Sequence, residues 1–266
     1  MKISIISSTA AGRYCFFLGM VKNLLTECKN AMGYISWPYS RLYTEVFSLS
    51  DQTLSYSERI PAERPYNMIY ELYMEDKHSG RIPIEWVDVK SGHVVQGCDD
   101  YDWNLVRESD CIMICMDGNT IAHATGSTQD IADYWYQSDG ESGLGIDNFL
   151  LNYLGHNDGK LPFLCFVVTK IDTIDSNLVN STRLDHIVKE TFPQWFDGQK
   201  GHGAHIAAIC PISALGYKFM DGGPFCPFNA EKPLLAALKV VCGKTYGDLK
   251  GVRFYKDGKL IDESEL

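Results

Sequence analysis

Ile3-Ser4-Ile5-Ile6-Ser7-Ser8-Thr9-Ala10-Ala11-Gly12-Arg13-Tyr14-Cys15-Phe16-Phe17 sets the pattern for the rest of the chain. Ile3 to Ile6 is a strand-length apolar run. Ser7 to Gly12 is rich in small residues, and within Phe16 to Cys28 the residues Phe17, Met20, Val21, Leu24 and Leu25 recur at helical spacing. Strand, small-residue loop and helix make up the repeating unit of doubly wound α/β sheets. Small residues at such a turn let backbone N–H groups and the helix N-terminus face an anion.

Further strand-length runs follow at Met68 to Met74, Ile82 to Val89, Cys111 to Met116, Leu161 to Val168 and Ile206 to Ile212. Several are apolar on both faces, as in a sheet covered by helices on two sides. Tyr66 to Asp88 reads as a hairpin turning at Lys77-His78-Ser79-Gly80, and Glu231 to Val241 as a helix with Leu234, Leu235, Leu238 and Val241 on one side. The expected fold class is therefore α/β, a doubly wound and mostly parallel sheet with one antiparallel hairpin. Residues 33–65 and 118–145 show no clean period and read as insertions in a domain covering 1–242. Residues 243–266 read as a C-terminal extension, with a small hairpin around Asp257-Gly258.

Composition narrows the function classes. At 266 residues, 45% hydrophobic and 22% charged, the chain has the balance of a globular domain rather than a disordered one. Its 24 Lys and Arg against 34 Asp and Glu give a net charge of -10, which argues against the basic face that sequence-independent nucleic-acid binding requires. Nine cysteines, an odd number set mostly in apolar runs, read as reduced thiols of a cytoplasmic protein. No apolar stretch approaches the length of a membrane span, so neither nucleic acid nor membrane is an expected partner.

Three more segments fall at strand ends of this sheet. In Trp86-Val87-Asp88-Val89-Lys90-Ser91-Gly92-His93 a carboxylate closes a hydrophobic strand, where it is placed to order a magnesium-bound water. In Phe166-Val167-Val168-Thr169-Lys170-Ile171-Asp172 a carboxylate can accept two hydrogen bonds from the ring and amino N–H groups of guanine, with the Lys stem along the base face. In Ile209-Cys210-Pro211-Ile212-Ser213-Ala214-Leu215-Gly216 small residues allow a backbone N–H to approach a base carbonyl.

Together these segments resemble the P-loop GTPases of the translation-factor and Ras type. Ala11 to Met20 looks most like the phosphate loop of bacterial double-GTPase families associated with conflict systems. The resemblance implies GTP or GDP as ligand and Mg²⁺ as cofactor. It implies a nucleotide site made of Ser8, Ala11, Gly12, Arg13, Tyr14, Thr169, Lys170, Asp172, Ser213 and Ala214, with Asp88 toward the metal. Arg13 and His93 are the catalytic candidates, and Thr44 and Thr53 are alternative magnesium-sensing threonines. The chain departs from the family where Arg13 replaces the phosphate-loop Lys, Tyr14 replaces the metal-binding Ser or Thr, and Thr169 replaces Asn. Those departures imply a regulatory or scaffolding pseudo-GTPase acting through a protein partner, such as an intact GTPase or effector subunit, with nucleotide binding weak or lost. The alternatives are a slow or partner-activated GTPase using Arg13 in place of Lys, and a structural subunit whose pocket Tyr14 closes.

Other candidates read as structure. His202 and His205 lack a third ligand nearby in sequence, Cys111 and Cys115 share a strand face as core residues, and Tyr134, Trp135 and Tyr136 read as aromatics packed under a loop, with an interaction surface as the alternative.

Overall fold

The apolar runs become strands joined in one sheet. A computed structural model describes residues 1–7, 11–26, 33–36, 40–61, 67–76, 80–90, 98–123, 145–179, 182–196 and 206–266. In chain order the strands are β1 (Lys2–Ser7), β2 (Gly33–Ser36), β3 (Met68–Asp76), β4 (Gly80–Asp88), β5 (Cys111–Asp117), β6 (Phe163–Thr169), β7 (Ile206–Pro211), β8 (Arg253–Lys256) and β9 (Lys259–Ile261). The main helices are α1 (Arg13–Thr26), α2 (Ser40–Ser50), α3 (Asp100–Val106), α4 (Ile146–His156), α5 (Thr182–Thr191) and α6 (Lys232–Cys242).

The strand order is β2-β3-β4-β1-β5-β6-β7-β8-β9. Its centre, β4-β1-β5-β6-β7, is wholly parallel. The expected hairpin is β3 against β4, in register from Met68 opposite Asp88 to Asp76 opposite Gly80. Antiparallel strands also extend both edges, β2 on β3 at one side and the β8–β9 hairpin on β7 at the other.

Side-chain alternation explains why both faces need covering. Ile3, Ile5, Cys111, Met113, Cys115, Cys165 and Val167 point into one buried cluster, with Phe16, Phe17, Met20, Val21 and Leu24 of α1 and Leu234, Leu235 and Leu238 of α6. Ile6, Ile112, Ile114, Met116, Leu164, Phe166 and Val168 point into the other, with Phe149, Leu150 and Tyr153 of α4 and Leu184 and Val188 of α5. A sheet apolar on both faces and layered this way is doubly wound. α6 has Pro233 in its first turn and Gly243 in the left-handed conformation at its end, each where backbone geometry favours it. α3 starts with a reciprocal capping box between Asp99 and Asp102.

Residues 33–65 are not an irregular insertion throughout. They contain β2, the 11-residue α2 and a helical turn at Tyr56–Arg59. Leu49 of α2 is fully buried against the α1 side of the core, so this segment is part of the layer. No helix among the described residues is long and apolar enough to cross a membrane.

Candidate functional site

The carboxyl ends of β1, β4, β5, β6 and β7 share one edge of the parallel sheet, and ligands of open α/β sheets bind outside such an edge, where the winding reverses. Here the reversal is at β1: one neighbour, β4, precedes the other, β5, in the chain. The loop from Ser7 to Arg13 leaves the sheet there. Gly12 adopts φ +74°, a left-handed conformation that glycine enters without steric cost, and its carbonyl accepts from the N–H of Phe16 at 2.9 Å to begin α1.

Arg13 is buried, and its guanidinium turns back into the sheet edge. Nε lies 2.5 Å from Asp88 Oδ1, and Nη1 donates to Ser7 Oγ at 3.2 Å. The contact with Asp88 is close but poorly aligned for a hydrogen bond, so it is ionic in character. Asp88 is 3% exposed. Burial pushes its carboxyl up to about 6, with the Arg13 charge pulling the other way.

Tyr14 is buried among Ala11, Phe17 and their neighbours, and its hydroxyl donates to Glu45 of α2. The candidate metal site therefore differs from the expectation. Asp88 faces a guanidinium, which repels a cation, and the side chain standing where the family has its compact metal-binding hydroxyl reaches α2 instead. Among the described residues, no group of three or more His, Cys, Asp or Glu is placed to hold a metal ion. Among the described residues, the side chains at this edge do not fit Mg²⁺. Thr53 bonds locally, donating to Asp51 at 2.7 Å, and Thr44 is exposed on α2.

The residues expected to meet a base are assembled differently. Thr169, fully buried at the end of β6, has its hydroxyl 2.7 Å from the Ala11 carbonyl and 3.0 Å from that of Met116. It ties the phosphate loop to β5 and β6. Lys170 takes a left-handed conformation, φ 55°, and its ammonium meets Asp117 of β5 at 2.6 Å. Its stem passes over Gly12, whose missing Cβ would stand 3.8 Å from Lys170 Cε. Asp172 follows in a short turn that the Thr173 hydroxyl clasps through contacts at 2.7 Å with the Lys170 carbonyl and Asn119 Oδ1.

The loop after β7 is pinned beside it. Ile171 donates to the Ile212 carbonyl at 3.2 Å, and Ser213 and Phe228 exchange backbone hydrogen bonds. Ser213 Oγ accepts from the N–H of Gly216 at 2.9 Å. Among the described residues, the backbone N–H of Ala214 meets no acceptor and the Asp172 carboxylate accepts no hydrogen bond. Asp172 and Ala214 thus lie on neighbouring loops, after β6 and after β7. The architecture is a doubly wound α/β sheet, parallel at its centre with antiparallel edges.

Asn119 and Thr173 lie outside the motifs that sequence reasoning picked out, and Gly19, within Ala11 to Met20, has no role of its own there. A Cβ on Gly19 would lie 2.5 Å from the Ala214 carbonyl oxygen, so the absent side chain lets α1 touch the base loop. Burial pushes the thiol of Cys15, in the first turn of α1, up to about 11, against a smaller opposite pull from Lys170, which disfavours its thiolate. Cys111 and Cys115 are buried and free, as core residues. Ser8, His93, Tyr134, Trp135, Tyr136, His202 and His205 lie outside the described residues.

No protein-family model and no curated protein matches the chain. Solved structures do. The mammalian SRP receptor is 11% identical at a TM-score of 0.41, covering 80% of this chain and 92% of that one. The signal recognition particle receptor SRb-GTP/SRX complex from Chaetomium thermophilum is 13% identical at 0.42, covering 81% and 91%. A GTP-binding protein from Sulfolobus solfataricus, in complex with GDP, is 15% identical at 0.36 over 80% of this chain. The chain spans 47% of that protein's length and 50% of that of an SsGBP variant.

Proposed function

We propose that the chain is a pseudo-GTPase, a protein that keeps a guanine-selective pocket, does not hydrolyse GTP, and acts as a regulatory or scaffolding subunit through a protein partner. One observation carries this reading: the Arg13–Asp88 ion pair, 2.5 Å and buried. Phosphoryl transfer depends on positioned cations that neutralise charge on the transferred group. In this chain the phosphate-loop cation is held by the carboxylate that would otherwise serve the metal.

The base half supports retained selectivity, since Asp172 offers two acceptor oxygens and adenine has no matching pair of donors. A partner surface has support next to it. Tyr217, Met220 and Phe228 are each about half exposed just beyond the base loop, and the Tyr217 and Phe228 rings meet edge-on at 5.9 Å.

Phosphate release from GTP under single-turnover conditions tests the reading. The expected rate equals that of buffer alone, with or without Mg²⁺. Turnover that vanishes in Arg13→Ala would instead establish a working GTPase with Arg13 in the role of Lys.

A further inference from the structure

Arg59 ends the helical turn Tyr56–Arg59 and is 2% exposed. Its Nη1 donates to the Gly223 carbonyl at 2.9 Å and its Nη2 to the Phe219 carbonyl at 3.2 Å, and the guanidinium lies over the Phe219 ring, 4.1 Å from the centroid. Nε meets no acceptor. Among the described residues no carboxylate pairs with this charge, and the exposed Asp51 carboxyl, held low mainly by Thr53, is drawn down by it least. A buried charge is costly without such a partner, so two carbonyls and one ring face sustain it.

Both carbonyls belong to the loop after β7. Its limbs hold each other on either side of Ala214: Ser213 and Phe228 exchange backbone hydrogen bonds at 3.0 and 2.8 Å, and Cys226 donates to the Leu215 carbonyl at 3.1 Å. Farther out, the N–H of Gly223 donates to the Lys218 carbonyl at 2.8 Å, and a Cβ on Gly223 would stand 2.5 Å from that oxygen. From α1, Lys22 covers the Phe225 ring and Asn23 donates to the Pro227 carbonyl at 3.3 Å. Arg59 fastens the same loop to the segment between α1 and β3. That segment also reaches the start of α1, where the Tyr14 hydroxyl donates to Glu45.

We propose that Arg59 is a positioning residue that couples residues 45–60 to the base loop, so that occupation of the base pocket is transmitted to that segment. The proposal rests on the guanine reading above and adds its regulation. A base that accepts from the Ala214 N–H favours the closed loop, which is the form in which the Arg59 fork is made. Coupling of this kind is reciprocal: a ligand that stiffens the base loop stiffens the segment, and a protein that seats on the segment alters affinity for the base.

Calorimetric titration of the full chain with guanosine and adenosine, for the parent, Arg59→Lys and Arg59→Met, tests it together with hydrogen exchange in residues 45–60. Lys keeps the charge without the fork, and Met keeps the stem alone. Guanosine is expected to bind each folded variant roughly tenfold more weakly than the parent. At saturation it should slow exchange in residues 45–60 of the parent and of neither variant, and adenosine should slow it in none.

A merely structural Arg59 would lower the melting temperature of the variants and leave guanosine affinity and the slowing intact. Either of these persisting in a folded variant overturns the proposal and leaves the guanine reading standing. If the variants do not fold, the parent decides: guanosine binding without slowing in residues 45–60 overturns the proposal alone. Absence of guanosine binding by the parent overturns both.

Discussion

Arg13, the first residue of α1, reaches back to Asp88, the last residue of β4, and the two side chains are buried with Nε and Oδ1 2.5 Å apart. Register creates the pair. Ile5 lies opposite Asp88 in the parallel β1–β4 ladder, so the end of β4 stands beside the loop that leads into the helix. Taking both ions out of water carries a large desolvation cost that their attraction offsets only in part, which is why the Asp88 carboxyl is held up at about 6.

That elevation fixes a pH dependence. The folded chain holds the Asp88 proton more tightly than the unfolded chain, whose value is near 3.8. The contribution of this group is complete below about pH 4, declines as pH rises, and is lost once pH has passed about 6. Melting temperatures of the parent and of Asp88→Asn, taken from pH 4 to 7, should show the parent losing ground to the variant as pH rises. A difference that stays flat across the range would dismiss the elevated carboxyl.

Removing one member of the pair should cost more than removing both. Arg13→Ala leaves a buried carboxylate unpaired, at a cost of about 3 to 5 kcal/mol. Arg13→Met with Asp88→Leu restores packing without charge and should recover most of that loss. Urea denaturation of the parent, Arg13→Met, Asp88→Leu and the double variant measures the coupling, and additive losses would mean that the pair contributes nothing as a pair.

The Thr169 hydroxyl should matter out of proportion to its size. Thr169→Val keeps the shape and removes the donor shared between the Ala11 and Met116 carbonyls, for a cost of about 1 to 3 kcal/mol, whereas Thr169→Ser should cost less. Hydrogen exchange at Gly12 and Arg13 should quicken in the Val variant. Unchanged exchange there would show that the loop holds its place without this tether.

Gly19→Ala should separate α1 from the base loop. The added carbon would stand 2.5 Å from a backbone oxygen, and backbone must shift to admit it. A cost of about 1 to 3 kcal/mol is expected, together with weaker discrimination between guanosine and adenosine. Full stability with unaltered selectivity would mean that the contact is incidental.

Much of the sheet is legible in the sequence because its central strands are apolar on both faces. The runs at Cys111, Leu161 and Ile206 anticipate β5, β6 and β7 to within two residues. α2 is harder to read because Leu42, Val46 and Leu49, spaced as on one helical face, stand among Ser, Tyr and Thr. Thr169, Lys170 and Asp172 stand together in sequence at the end of one apolar run, so strand context and the resemblance to GTPases single them out together. The Arg13–Asp88 pair is not legible there, since 75 positions separate its members and only parallel register joins them. Lys170 and Asp117 meet across neighbouring strand ends in the same way.

The central position of β1 also governs the order in which the molecule can assemble. Ile3 finds its partners in Trp86 on one side and Cys111 on the other, so β1 is made well before either of its neighbours. Pairings this distant in sequence slow folding and leave apolar segments exposed meanwhile. During synthesis the apolar segment from Ile3 to Ile6 emerges some 80 residues before its nearest mate, an interval in which a nascent-chain chaperone would find it unguarded.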